Sequence, residues 1–473
     1  MNSFQRCALM RARVIVWLLP LALIGCANFS TDGGFDRVSV WSRERIGLPA
    51  PKAVNTLEAQ ERINTLLEIP LSSETVVEIA LLSNQRLQAA LSELGIAEAD
   101  LVQAGRLRNP GFSFGRLSGN GEIEIDRAVL LDLGGLLSMP LRRAIEERRF
   151  TQTQLQTALH IVRLATDTRR AYFQAIAAKQ TLLYMQQVDQ AAQASAELAQ
   201  RMTQAGNWGK LEQAREQAFR NEVGVQLARA QYNERESYER LVRLLGLIEF
   251  HRAVKLPDRL PELPAEPKRV DQIEAQALAQ RLDVHAAKLD TESTAKSLGL
   301  TQATRWVNAL EVGYQNKSTS NASQAQGYLV EFSLPLFDWG QARVRRAESV
   351  YMRSFYRTAD IAMQARSEAR LGYVAYQTNF DIARQYRDEI IPARKRVSEE
   401  VLLRYNGMLS SVFELLADAR AQITSINAAI DAQRDFWVAD TELQFVVSGG
   451  SLNSPLTAVS VGNAMPASTL QSH

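Results

Sequence analysis

The chain has 473 residues, 46% of them apolar and 22% charged, with a formal net charge of +2. That is enough material for two or three ordinary domains with a real core, and it excludes an intrinsically disordered protein. A near-neutral balance offers no argument for nucleic-acid binding.

The chain opens with a stretch that reads as a leader. Arg6, Arg11 and Arg13 precede the apolar run Val14 to Leu23, which ends in "LIGC" at Cys26. A charged region, about ten apolar residues and small residues before a cysteine make a lipoprotein signal peptide over 1–25. The run falls well short of the roughly 20 apolar residues of a membrane anchor. Met10 is an equally good start and leaves a more compact leader. Cleavage removes Cys7, so the mature chain keeps only Cys26, whose thiol is expected to carry the lipid, and no disulfide can form. The leader has three arginines and no acid, so the mature chain falls to a net charge of −1. Ala27, where an aspartate would retain a bacterial lipoprotein in the inner membrane, favours the outer membrane. No later stretch is apolar and long enough for a transmembrane helix, so any crossing must be made by strands.

Residues 26–70 read as an extended N-terminal linker. A first unit follows over 71–256. Its short helix begins after a cap at Ser72 or Ser73 and ends near Gly105. "RNPGFSFGRL", the "SGNG" turn at Ser118 to Gly121 and "EIEIDRAVLLDLGG" then read as a β-hairpin, from the alternation in Phe112 and Phe114 and in Ile123 and Ile125. From Leu141 to Leu256 there is no proline, and the residues are good helix formers. "QAGNWGK", Gln204 to Lys210, interrupts them, so the chain runs out as a helix, reverses and returns. The Pro-rich stretch 257–272 is a linker. The same order then recurs over 273–450: a short helix, a hairpin from "ALEVGYQNK" and "GYLVEFSLPLFDWG", a long helix, a reversal at "RYNGMLSS", Arg404 to Ser411, and a return to about Gly449. Residues 451–473 are expected to form a flexible tail. Asp132-Leu133-Gly134 matches Asp338-Trp339-Gly340 at an offset of 206, and Leu211-Glu212 matches Phe413-Glu414 at 202, which marks a duplication.

The strands have one apolar and one largely polar face. Tyr328, Val330, Phe332, Leu334 and Leu336 alternate with Leu329, Glu331, Ser333 and Pro335, and Leu310, Val312 and Tyr314 alternate with Glu311, Gly313 and Gln315. Such alternation suits a half-buried soluble sheet as well as a transmembrane barrel. Trp306 and Trp339 sit where strand meets helix, as an interfacial aromatic belt requires, and favour the barrel. Two separated hairpins must pair to be stable. Four strands cannot close a barrel with a lumen, so several chains must share one, and cyclic symmetry is the usual solution. The first long helix, from about Leu141 to Gly206, would reach about 100 Å at 1.5 Å per residue, far beyond a bilayer. Pro392 should kink or bulge the second.

Chemistry is sparse. His160, His251, His285 and His473 are scattered, and no HExxH, CxxC or His-carboxylate spacing occurs. Met408 and Met465 read as packing or tail residues rather than copper ligands. No nucleophile has a base, so no enzyme, cofactor or metal site is expected beyond the lipid on Cys26.

Over essentially the whole mature chain these residues resemble the TolC-like outer-membrane efflux family. The resemblance is carried by "RNP" before the first strand, "LDLGG" and "SLPLFDWGQAR" at the strand-to-helix corners, "AYFQAIAAKQ" on the first long helix and "LLRYNGMLSSVFELLADAR" at the second reversal. The last is closest in wording to a branch associated with heavy-metal and copper resistance. The family implies a mainly α protein with a membrane β-barrel: a homotrimer forming one 12-stranded barrel in the outer-membrane lipid, four strands per chain, continued by an α-helical tunnel through the periplasm. It implies a periplasmic adaptor and an inner-membrane pump of the RND type as partners. The function implied is a passive exit duct of a tripartite efflux system for small molecules or metal ions. A type I protein-secretion duct and a lipid-anchored coiled-coil protein without a pore are the alternatives.

By the same resemblance Asp132, Gly134, Asp338, Trp339 and Gly340 form the strand-helix corners. Gly206, Asn207, Trp208 and Gly209, with Arg404, Tyr405, Asn406, Gly407, Ser410 and Ser411, form the reversals that meet the adaptor. Gly407 stands one position earlier than the family's glycine. Glu414 and Asp418 lie one helical turn apart behind the second reversal, as Glu212 and Glu216 do behind the first. In the family, acids here line the closed pore entrance, so threefold symmetry would make Asp418, and less directly Glu414, rings of carboxylates. Ser411 and Glu414 also have the spacing of a capping box.

Overall fold

The computed structural model describes residues 29–52, 56–119, 122–247, 254–305, 310–320, 324–332 and 337–452. The leader, Cys26, Trp306, Leu334, Leu336 and the tail after Leu452 lie outside them. The chain divides into two compact units: residues 1–34, 94–150 and 296–347, and residues 35–93, 151–295 and 348–473.

The first unit is built on a four-stranded antiparallel sheet. Strands β1 (Gly111–Gly119), β2 (Glu122–Asp132), β3 (Leu310–Thr319) and β4 (Ala325–Phe332) lie in the order β1-β2-β3-β4. The two hairpins therefore pair with each other through β2 and β3, with Val129 opposite Tyr314, as their instability in isolation requires. The register places Phe112, Val129, Tyr314 and Tyr328 in one row across the sheet, and Leu131, Val312 and Val330 in the next row on the same face. Tyr314 and Tyr328 meet edge to face at 6.2 Å. Ile123, Ile125 and Phe114 share this face by their alternation, and it becomes polar toward the hairpin turns at Arg116, Arg127, Asn316 and Gln326. The opposite face carries Glu124, Lys317, Glu311 and Glu331 among small residues. Gly313 is needed there, because a Cβ would lie 2.7 Å from the Val129 carbonyl.

Strand β2 passes directly into a helix. Helix α5 (Leu133–Gln204) begins at the residue after β2, eight residues before the expected start, and holds Pro140 inside it. The reason is Asp132, whose Oδ1 accepts the Gly135 N–H at 2.6 Å and caps the helix at once. The second corner differs. Asp338 accepts from the Gly340 N–H at 2.8 Å, Gly340 is left-handed at φ +73°, and helix α9 (Gln341–Gln385) starts only then. A Cβ on Gly340 would meet the Arg305 carbonyl at 2.9 Å.

The second unit is helical. The expected extended linker is instead largely helical, as α1 (Phe35–Ile46) and α2 (Leu57–Leu67), because Phe35, Val38, Ser42 and Ile46 recur at helical spacing and are buried. The single short helix expected in each repeat is two: α3 (Ser73–Ser83) and α4 (Gln85–Ala104) break at Asn84, and α7 (Ile273–Gln280) and α8 (Leu282–Ala303) break at Arg281. Each break grips the end of its repeat's return helix. The Asn84 amide donates to the Leu244 carbonyl at the end of α6 (Lys210–Leu245). In the second repeat the Leu282 N–H reaches the Gly449 carbonyl, just past α11 (Val412–Ser448).

Arg281, 1% exposed, forks onto Asp283 at 2.9 and 2.6 Å and reaches Glu368 at 2.8 Å. Burial pulls the Arg281 pKa down, and the bonds and charges of the two carboxylates more than reverse this, leaving it raised. Ser451 closes the cluster, its hydroxyl donating to Glu368 and its N–H to Asp283. The Pro-rich segment also packs: Trp437 and Gln433 both donate to the Pro261 carbonyl, and the Lys268 N–H to the Tyr376 hydroxyl. Tyr376, Phe380 and Phe436 form the core beside it.

Pro392 acts as expected. After α9 comes one π-turn, Tyr386–Ile390, and then α10 (Ile391–Asn406) with Pro392 in its first turn. A proline has no N–H to continue the ladder, so the chain takes up an extra residue before it, and the Ile391 N–H bonds to the Tyr386 carbonyl five residues back.

Candidate functional site

Both reversals close with the same backbone motif. At the end of α5 the Asn207 N–H reaches the Met202 carbonyl at 2.9 Å and the Gly206 N–H the Thr203 carbonyl at 3.1 Å, with Gly206 left-handed at φ +75°. At the end of α10 the Leu409 N–H reaches Arg404 at 2.8 Å and the Met408 N–H reaches Tyr405 at 3.0 Å. These are Schellman closures, whose left-handed residue is normally glycine. In the second it is Met408, at φ +60°, while Gly407 next to it has an ordinary φ of −80°. The glycine noted as one position early is indeed out of phase, and a methionine takes the conformation in its place.

The return helices then start differently. Gly209 caps α6 without a side chain, and the Glu212 carboxylate fills the space that a Cβ on it would need. Ser411 caps α11, its Oγ accepting the Glu414 N–H at 3.3 Å. Only that half of the expected capping box is seen, because Glu414 turns its carboxylate to the Ser410 hydroxyl at 2.6 Å. Glu414 is exposed beside Arg396, Glu400 and Arg404 of α10.

Asp418 does not share that setting. It is 9% exposed and accepts a hydrogen bond from Ser398 of α10, in the seam of its own hairpin. A carboxylate held inside that seam is not free to line an open space, so the ring expected at Asp418 is not supported. The first hairpin repeats the device: Glu216, 3% exposed, accepts from Ser195 of α5 at 2.8 Å. Sequence reasoning missed Ser195 and Ser398 altogether. Their offset of 203, beside 202 for Glu216 and Asp418 and 202 for the reversals, was the available signal.

The hairpins lie side by side. The Arg420 guanidinium stands 4.4 Å from the Phe219 ring centroid and Arg215 5.4 Å from Phe413, two reciprocal cation–π contacts. Ile423 of α11 packs on the first hairpin's core of Met185, Val188, Ala192, Phe219 and Val223. Farther along α5, burial and then Arg163 lower the His160 pKa. Burial, and then Glu74, push the Tyr172 hydroxyl up to about 12, where it donates to the Leu71 carbonyl.

At the corners, Asp132 also pairs with Arg108 at 3.4 Å, Gly134 lies against Leu310, and Trp339 is exposed. Among the described residues no group of three or more His, Cys, Asp or Glu is placed to hold a metal, and no helix is long and apolar enough to cross a membrane. The elements present are two paired helical reversals and a sheet with one exposed apolar face.

No family model and no curated protein matches the chain. Solved structures do. The transmembrane channel CusC superposes with a TM-score of 0.66 at 17% identity, over 81% of this chain and 93% of that one. The Campylobacter jejuni CmeC outer membrane channel gives 0.69 at 16%, over 87% and 93%. The open Neisseria gonorrhoeae MtrE outer membrane channel gives 0.66 at 15%, over 80% and 89%. The chain thus has the TolC-like fold of these outer-membrane channels, mainly helical with four antiparallel strands among the described residues, as its corner and reversal motifs implied.

Proposed function

We propose that three copies of this chain form an outer-membrane exit duct, anchored by acylated Cys26 and opening into the periplasm. The observation that carries this reading is the sheet. Its apolar face exposes Phe112, Tyr328 and Val330, and no described strand pairs with the outer edge of β1 or β4. A membrane strand cannot leave an edge unpaired in lipid, so the edges must be closed by other copies. Three copies of four strands give twelve, enough to enclose a lumen lined by the polar face.

A duct of this kind supplies no energy, so an inner-membrane pump, of RND type by the family resemblance, and a periplasmic adaptor at the reversals complete the system. The cargo class is small molecules or metal ions. The test is the mass of the detergent-extracted complex together with its conductance in a planar bilayer. A trimer with one conducting pore, co-purifying with an adaptor and pump, is the expected result, and a stable non-conducting monomer overturns it.

A further inference from the structure

We propose that Glu98 is the anchor that ties the chain after Cys26 to the sheet unit, so that the lipid leaves the protein beside the strands. The proposal rests on the reading of Cys26 as acylated. Glu98 lies on α4 and is 8% exposed. Its Oε1 accepts both the backbone N–H of Ser30, at 2.6 Å, and the Ser30 hydroxyl, at 2.5 Å. Charge-assisted hydrogen bonds of this kind are the strong ones, and a buried carboxylate is retained only where donors replace its water.

The segment it grips is shaped to be gripped. The Gly33 N–H turns back onto the Ser30 carbonyl, and Gly33 and Gly34 are both left-handed, at φ +65° and +74°. Two such residues in succession are accessible without strain only to glycine. Gly33 sits beside the other carboxylate oxygen, which a Cβ there would approach to 3.9 Å. A buried acceptor and a glycine-coded turn thus meet at one point, and neither belongs to the hydrophobic core.

The lengths fit a membrane anchor. Three residues lie between Cys26 and Ser30, and the four backbone steps reach at most about 14 Å. Glu98 is six residues before the end of α4, about 9 Å along the helix. The end of α4, where the chain passes toward β1, is therefore within reach of a lipid tethered at Ser30. If Phe35 were the first fixed residue, the tether would span about 31 Å and leave the exit point undefined.

The test uses full-length protein in liposomes, with spin labels at Phe29→Cys and Leu107→Cys, both exposed positions of the sheet unit. Acylated Cys26 does not react with the label. Wild-type Glu98 and Glu98→Gln, whose amide oxygen accepts the same two bonds, should give the same set of narrow label-to-label distances and one membrane depth for the Phe29 label. Glu98→Ala should widen the distance distribution at least twofold and spread the depth, with helix content and oligomeric state unchanged. A narrow distance and fixed depth in Glu98→Ala overturn the anchor. Intact mass reads the lipid separately: a Cys26 without acyl groups overturns the acylation reading, while the label distances judge Glu98 by themselves.

Discussion

Met408 occupies a conformation that costs an L-residue about 1 kcal/mol or more relative to glycine. It is 94% exposed, so its side chain offers little packing to offset that cost. Met408→Gly should therefore stabilise the second reversal by about 1 kcal/mol, whereas Gly407→Ala, at an ordinary φ, should change it little; hydrogen exchange of the Leu409 and Met408 amides reads both. His160 titrates against stability in the opposite sense from a histidine held in a salt bridge. Its folded pKa is lowered by burial, so below the unfolded value of about 6.5 the unfolded chain takes up the proton first. Stability should hold above pH 7 and fall as pH drops from 6.5 toward the lower folded value. Thermal melts of His160→Gln should show a shallower loss between pH 7 and 5 than wild type, and an equal loss would place the acid sensitivity elsewhere.

At the scale of the hairpin, the paired Ser195–Glu216 and Ser398–Asp418 bonds fix the register of outgoing and returning helices behind each reversal. They sit at matching places because the unit is duplicated, although one acid is Glu and the other Asp. Asp418→Ala should leave the Ser398 hydroxyl only its long contact to the Gln422 side-chain oxygen at 3.4 Å and loosen the hairpin by about 1 kcal/mol. Cation selectivity in single-channel recordings should stay as in wild type, since Asp418 lies in the seam. A loss of selectivity in a properly inserted Asp418→Ala complex would restore the ring reading. Glu414 could still face a lumen, being exposed, and its Ser410 partner is a surface contact of small worth.

In the proposed barrel the register of the sheet decides which residues would meet lipid. Tyr328 and Leu329 are neighbours in sequence and point to opposite faces, Tyr328 on the apolar face at 89% exposure. Tyr328→Arg should cost about 2–4 kcal/mol per chain if that row lies near mid-membrane, and so prevent insertion. Leu329→Arg, on the polar face, should insert normally. Fractionation and heat-modifiability on gels distinguish the two, and equal insertion of both variants would count against the barrel.

The sequence by itself determined the duplicated order of elements, the face of each strand, the corners, the reversals and the proline bulge. Each of these is written in local periodicity or in a Gly, Pro or Asp whose backbone demand does not depend on distant residues. What it could not decide was which residues meet across elements. The pairing of β2 with β3, the helical packing of the segment before Ser72, the clamp of Arg281 on Asp283, Glu368 and Ser451, and the burial of Asp418 against Ser398 each join residues far apart along the chain or depend on burial. One helical turn separates Glu414 from Asp418, and local spacing alone puts them on one face. Only the packing of α10 against α11 sends one carboxylate into the seam and leaves the other in the open, because burial is a property of the neighbouring helix and not of the residue.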